Sequence, residues 1–163
     1  MRTKYELEKI VWSEEDFDHL AWRDCTIHAL AFPLGAFDLL LDIDYIFEWI
    51  SPVEPERNYQ FWIAPVTLAF ENVHEIKIDF DICDHIQIGN IEREKATPRE
   101  SEYIHRFKEW NWDISCTRGD ITFLATGFKM FARTPPLLAA VSRLDPAARG
   151  GYSFDRRFRE LDP

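Results

Sequence analysis

Asp42 and Asp44 stand two apart in the run Leu39-Leu40-Leu41-Asp42-Ile43-Asp44-Tyr45-Ile46-Phe47-Glu48-Trp49-Ile50. Asp79 and Asp81 repeat the spacing in Glu75-Ile76-Lys77-Ile78-Asp79-Phe80-Asp81-Ile82. Residues two apart on an extended chain share a face at roughly 7 Å. If the two runs are neighbours, four carboxylates crowd one patch. Such a cluster is what oxygen-ligated Mg²⁺ or Ca²⁺ requires, and paired carboxylates at this spacing also serve acid–base hydrolysis of sugars. Half-solvated antiparallel strands, however, alternate apolar and charged residues as a matter of course. The leading expectation is therefore a solvated sheet face. Its functional form is a docking surface for a basic protein, with Asp42, Asp44, Glu48, Asp79 and Asp81 as the partner-binding residues. Like charges facing each other across strands destabilise a sheet, so a crowded patch argues for function and a dispersed one against it.

A second constellation is Trp22-Arg23-Asp24-Cys25-Thr26-Ile27-His28. On an extended chain Trp22, Asp24 and His28 share a face, which makes them candidates for a small-ligand pocket or an enzyme site with an aromatic wall. Asp24 and His28 are then ~13 Å apart, too far for a direct hydrogen bond. Cys25 and His28 fall on opposite faces, so nucleophilic activation would need a bend. Cys25 with His28 and Cys83 with His85 have short zinc-like spacings, but they lie in or beside strands and the two spacings differ. Arg118-Gly119-Asp120 is a hairpin turn. Trp110, Trp112, Phe123, Phe128 and Phe131 are core before they are a stacking platform, although six Trp leave a ligand pocket open. No phosphate loop, nucleotide fingerprint, nucleophile elbow or metalloprotease motif occurs. No metal ligand, catalytic residue or cofactor is assigned.

The elements that must position these residues follow from periodicity. Ser13-Glu14-Glu15-Asp16 places a capping Ser three residues before an acid, a helix start of one or two turns. From Trp22 the period is two. Strands are expected up to Phe32, over residues 39–50, 59–63, 66–73, 75–82 and 85–91, and on both sides of Arg118-Gly119, over 110–117 and 120–132. Pro65 marks an edge or bulge and Gly127 a bulge or close backbone approach. Residues 92–102 are a polar loop, residues 137–144 a helix after Pro135-Pro136, and residues 149–154 a possible last strand. The fold class is α+β, mainly β: a curved antiparallel meander of about eight strands, half-barrel or sandwich-like, with one or two short helices.

Composition sets the limits. The chain has 163 residues, 46% of them hydrophobic, with thirteen Phe and only six Gly. That describes one folded domain, residues 1–163, without a flexible linker. No apolar run reaches the ~18 residues of a membrane helix, there is no signal-peptide pattern, and three Cys suit a reducing compartment. A cytoplasmic location is expected, with no membrane partner. The formal net charge is −10. Residues 1–110 carry 11 Lys/Arg against 23 Asp/Glu, and residues 111–163 carry 8 against 6, so the first part is near −12 and the tail near +2. Phosphate binding needs the opposite balance, which excludes nucleic acid as the expected partner.

Trp22-x-Asp24-Cys25-x-Ile27-His28 before a Leu-Asp-Ile-Asp-Tyr strand resembles a group of small uncharacterised bacterial cytoplasmic proteins. Phe61-Trp62-Ile63-Ala64-Pro65-x-Thr67-Leu68-x-Phe70-Glu71-Asn72-Val73 and Ala125-Thr126-Gly127-Phe128 extend that likeness. The opening motif before β-hairpins also resembles small immunity proteins of bacterial toxin systems. That resemblance implies a non-enzymatic binding protein and transfers no functional residue. The alternatives are the ligand pocket at Trp22, Asp24 and His28, a metal-dependent hydrolase, and a structural or oligomerising domain.

Overall fold

The computed structural model describes residues 2–81, 84–96 and 109–162. Ten antiparallel strands form the sheet: β1 (Val11–Ser13), β2 (Thr26–Ala31), β3 (Leu39–Ile50), β4 (Gln60–Glu71), β5 (His74–Phe80), β6 (Ile86–Lys95), β7 (Trp110–Cys116), β8 (Gly119–Ala125), β9 (Gly127–Ala132) and β10 (Leu137–Ala139). Their order is β1-β9-β4-β3-β2-β6-β7-β8-β5, and β10 pairs with β4 beside β9. The terminal strands β1 and β5 do not pair, so the sheet stays open. A 3₁₀ helix (Glu14–His19) and a four-residue helix α1 (Pro146–Arg149) are the helical elements among the described residues. The mainly β, antiparallel class that the alternation predicts is the class found.

The sheet curls around one face. Leu39, Leu41, Ile43 and Tyr45 of β3 point inward with Val66, Leu68 and Phe70 of β4 and Trp112, Ile114, Ile121 and Phe123 of β7 and β8, all buried. Phe17 from the 3₁₀ helix plugs this interior, its ring edge-on to Trp112 at 5.1 Å and to Phe128 at 5.4 Å. The Asp16 carboxylate accepts from the Ser13 amide at 2.9 Å, as the capping spacing predicts. The aromatic run is thus core for Trp112, Phe123 and Phe128.

Several boundaries differ from expectation, each for a local reason. Pro65 sits inside the continuous strand β4 rather than at an edge. On the side where it lacks an N–H, β4 pairs with β10 up to Ile63 and with β9 from Val66, so Pro65 falls in the gap. Its carbonyl still accepts from the Arg133 amide at 3.0 Å. The run 120–132 breaks at Thr126, and β8 and β9 join different stretches of sheet. Gly127 makes the close approach expected of it: a Cβ there would lie 2.6 Å from the Glu71 carboxylate. Residues 137–144 hold no helix, because Leu137–Ala139 fill the open edge of β4 opposite Phe61–Ile63. Tertiary pairing here overrides helix propensity. Residues 149–154 hold no strand but a turn through Gly150 and Gly151, both left-handed (φ 77 and φ 75). The expected loop 92–102 is strand to Lys95, and its part beyond Ala96 lies outside the described residues, as does Cys83.

Candidate functional site

The two carboxylate pairs do not meet. β3 lies between β4 and β2, and β5 lies at the far end of the sheet. Nor is the Asp42/Asp44 pair wet: both residues are 0% exposed. The docking role read for Asp42 and Asp44 is corrected accordingly, since a carboxylate without solvent contact cannot present itself to a partner. What hides them is the segment after β9, which has little regular structure and crosses the outer face of β3 and β4. Its charges were visible in the positive tail of the sequence, but nothing local said where they would land.

The enclosed cluster is fully connected. Asp42 accepts from Arg133 Nη2 (2.6 Å), Arg149 Nη2 (2.6 Å), Arg149 Nη1 (3.0 Å) and the Ser153 amide (3.0 Å). Asp44 accepts from Arg149 Nε (3.1 Å), His28 Nε2 (2.8 Å) and the Leu144 amide (2.8 Å). Arg133 also donates to Thr67 Oγ1 (3.0 Å), which in turn donates to the Asp155 carbonyl (2.7 Å). Burial by itself pushes the Asp44 carboxyl up. The hydrogen bonds from His28 and Leu144 and the Arg149 charge outweigh it and hold the group below the ordinary aspartate value. Burial likewise opposes the Arg149 charge, and its bonds to Asp42 with the field of both aspartates raise its pKa on balance. Two aspartates against two arginines balance formally. Such a cluster positions a segment more than it adds net stability.

His28 joins this cluster through a bulge. The β2–β3 register shifts between Ile27 and Ala29, leaving His28 unpaired and turned toward Asp44. Trp22 goes the other way, into the core against Tyr45 and Phe128. Asp24 turns aside in a left-handed conformation (φ 64), its amide donating to the Ile88 carbonyl. Trp22, Asp24 and His28 therefore line no common pocket. The Cys25–His28 couple is separated as well: Cys25 is in the core, its thiol pushed up to about 12 by burial. Among the described residues no group of three or more His, Cys, Asp or Glu could hold a metal. A second bulge, between Ile46 and Glu48, turns Glu48 out of the Asp42/Asp44 row to pair with Arg2. It also brings Trp49 to the surface, against Tyr59 and Phe61.

An exposed acidic face does exist, on β5–β8–β7–β6. Asp79 lies directly opposite Asp120, and Glu92 directly opposite Asp113. Ser115 links Asp120 to Asn90 across β7, and Thr122 links Asp113 to Lys77 across β8. Glu94 extends the face opposite Asn111. Asp79, Glu92, Glu94, Asp113 and Asp120 are exposed, and among the described residues none is in an ion pair with Lys or Arg. Glu92, Glu94 and Asp113 border a hollow of ≈ 390 Å³ that Lys77, Arg93 and Thr122 also line. Asp79 alone carries over from the expected comb into this patch. Asp81, exposed, follows β5 and its amide donates to the Arg118 carbonyl. Asp113, Asp120, Glu92 and Glu94 were missed because Asp113 and Asp120 stand singly in their strands and the two glutamates fell in the expected loop.

No helix among the described residues is long and apolar enough to cross a membrane. Comparison with protein-family models, with curated proteins and with solved structures returns no match.

Proposed function

We propose that this protein is a binding protein whose outer face on β5–β8–β7–β6 docks a basic protein partner. The observation that carries the reading is the direct opposition of Asp79 with Asp120 and of Glu92 with Asp113. Each like-charged cross-strand pair costs a few tenths of a kcal/mol to ~1 kcal/mol, and any of the four side chains could be neutral without disturbing the core. A sheet that keeps two such pairs side by side gains from them only when a positive surface covers them. The acidic rows would steer association and make it weaken with salt. The likeness of the Trp22–His28 region to immunity proteins of toxin systems points to the same class of non-enzymatic binder.

The test is binding of a Lys/Arg-rich peptide, and of a panel of folded basic proteins, at low and high salt. Reversing Asp79, Asp120 and Glu92 to Lys should abolish the salt-sensitive binding. Reversing Glu6, Glu8 and Glu54, exposed elsewhere, makes the same change in net charge and should leave most of it. Equal loss in both variants would reduce the effect to net charge and sink the proposal.

A further inference from the structure

We infer that residues 134–159 form a strap that opens as one unit while the sheet beneath stays folded, and that the Arg149 guanidinium is what locks it shut. The sheet does not need the strap for its ladders. β3 is paired along its length with β4 on one side and over Leu40–Asp44 with β2 on the other, and β4 also pairs with β9. The strap contributes only the three-residue β10 to the sheet.

Elsewhere the strap's backbone donors go to its own atoms or to the two buried carboxylates, apart from the Arg159 amide, which donates to the Arg133 carbonyl just before the strap. The amides of Gly150 and Gly151 donate to carbonyls of Pro146 and Ala147, that of Asp155 to Ser153 Oγ, and that of Arg157 to the Asp155 carboxylate. The amides of Leu144 and Ser153 donate to Asp44 and Asp42. Those two carboxylates converge on one side chain of the strap, and Arg149 holds both while Nη1 also donates to the Gly151 carbonyl. One guanidinium therefore ties the strap to β3 and closes its own turn. Its planar fork matters as much as its charge, because a lysine at the same place could not reach both aspartates in this geometry.

Opening would return the two carboxylates to water and release the buried Pro136 and Leu144 with the half-buried Leu137, Ala139 and Phe158. That is far less apolar surface than global unfolding exposes. The open state bares Asp42 and Asp44 between Leu40 and Ile46, a sheet face that the closed protein hides. The inference stands apart from the proposed docking face, which lies on other strands.

Native-state hydrogen exchange on the full chain across low denaturant tests it. In the wild type, the amides of Leu144, Gly151, Ser153 and Arg159 should share one opening that is less denaturant-sensitive than that of the β3–β4 ladder. Arg149→Lys should lower strap protection by about tenfold or more and leave ladder protection unchanged. Arg156→Lys, at an exposed pair with Asp38, should alter neither. Strap amides that exchange only together with the ladder would overturn the inference. So would full strap protection in Arg149→Lys, or an equal fall in strap and ladder.

Discussion

Arg149→Met removes the centre of the buried cluster while keeping a similar apolar stem. The guanidinium makes three bonds to the aspartates, at 2.6, 3.0 and 3.1 Å. After its loss Asp42 keeps Arg133 and the Ser153 amide, and Asp44 keeps His28 and the Leu144 amide. Two enclosed carboxylates then face one arginine. Breaking a buried pair by removing one partner costs about 3–5 kcal/mol. At about 2–4 °C per kcal/mol for a chain of this size, the melting temperature falls by roughly 6–20 °C. Where the strap opens for less than that, the loss in global stability stops at the strap's opening energy, which hydrogen exchange measures independently.

The pH dependence of that loss has a definite sign. The folded-state pKa of Asp44 is lowered, so its contribution is fully present above the unfolded value, about 3.9, and is lost as pH falls through the folded value. In Arg149→Met one cause of the lowering is gone, and protonation relieves the stranded charge. The gap between wild type and variant should therefore be widest near neutral pH and narrow on acidification below about pH 4. Urea unfolding across that range, followed by far-UV circular dichroism, gives both quantities. Adding Asp42→Asn to Arg149→Met should cost far less than it does alone. A loss under about 1 kcal/mol, well below that of a broken buried pair, or a gap that widens in acid, would refute this reasoning.

Three further outcomes follow from local geometry. Gly119→Ala should destabilise by more than about 2 kcal/mol in urea unfolding, because a Cβ there would sit 1.8 Å from the Asp79 carbonyl, which cannot yield without shifting β5. Asp120→Asn relieves its opposition to Asp79 and should stabilise by about 0.2–1 kcal/mol; a loss in the same assay would show that the acidic pairs carry no cost. The Cys25 thiol, buried and raised to about 12, should resist iodoacetamide at pH 8 in the native protein and react on unfolding, as peptide mass mapping would read.

The strand content was legible because period-two alternation survives in β5, β7 and β9 and the apolar run of β4 reads as a strand buried on both faces, and the 3₁₀ helix because capping is local. What eluded the sequence was tertiary. Asp42 and Asp44 look like a wet face because the side chains that cover them, Arg133 and Arg149, lie about a hundred residues downstream in an irregular segment. Period two carries no sign of a second layer made of loop. The bulges at His28 and Phe47 likewise leave no mark, yet each changes which face the next residue takes, as Glu48 and Trp49 show. The exposed acidic face was half legible. Asp79 was in view, but its partner Asp120 was read as part of a turn, and cross-strand neighbours of that kind are set by register alone.

Amide chemical-shift mapping is the direct test of docking on the acidic face of β5–β8–β7–β6. A Lys/Arg-rich peptide is titrated into the labelled protein at low salt. Docking on this face predicts shifts clustered on Lys77, Asp79, Glu92, Asp113 and Asp120, lost together at high salt and absent when Asp79, Asp120 and Glu92 are reversed to Lys. Shifts scattered over all acidic residues, or clustered on the strap or the N-terminal segment, would contradict it.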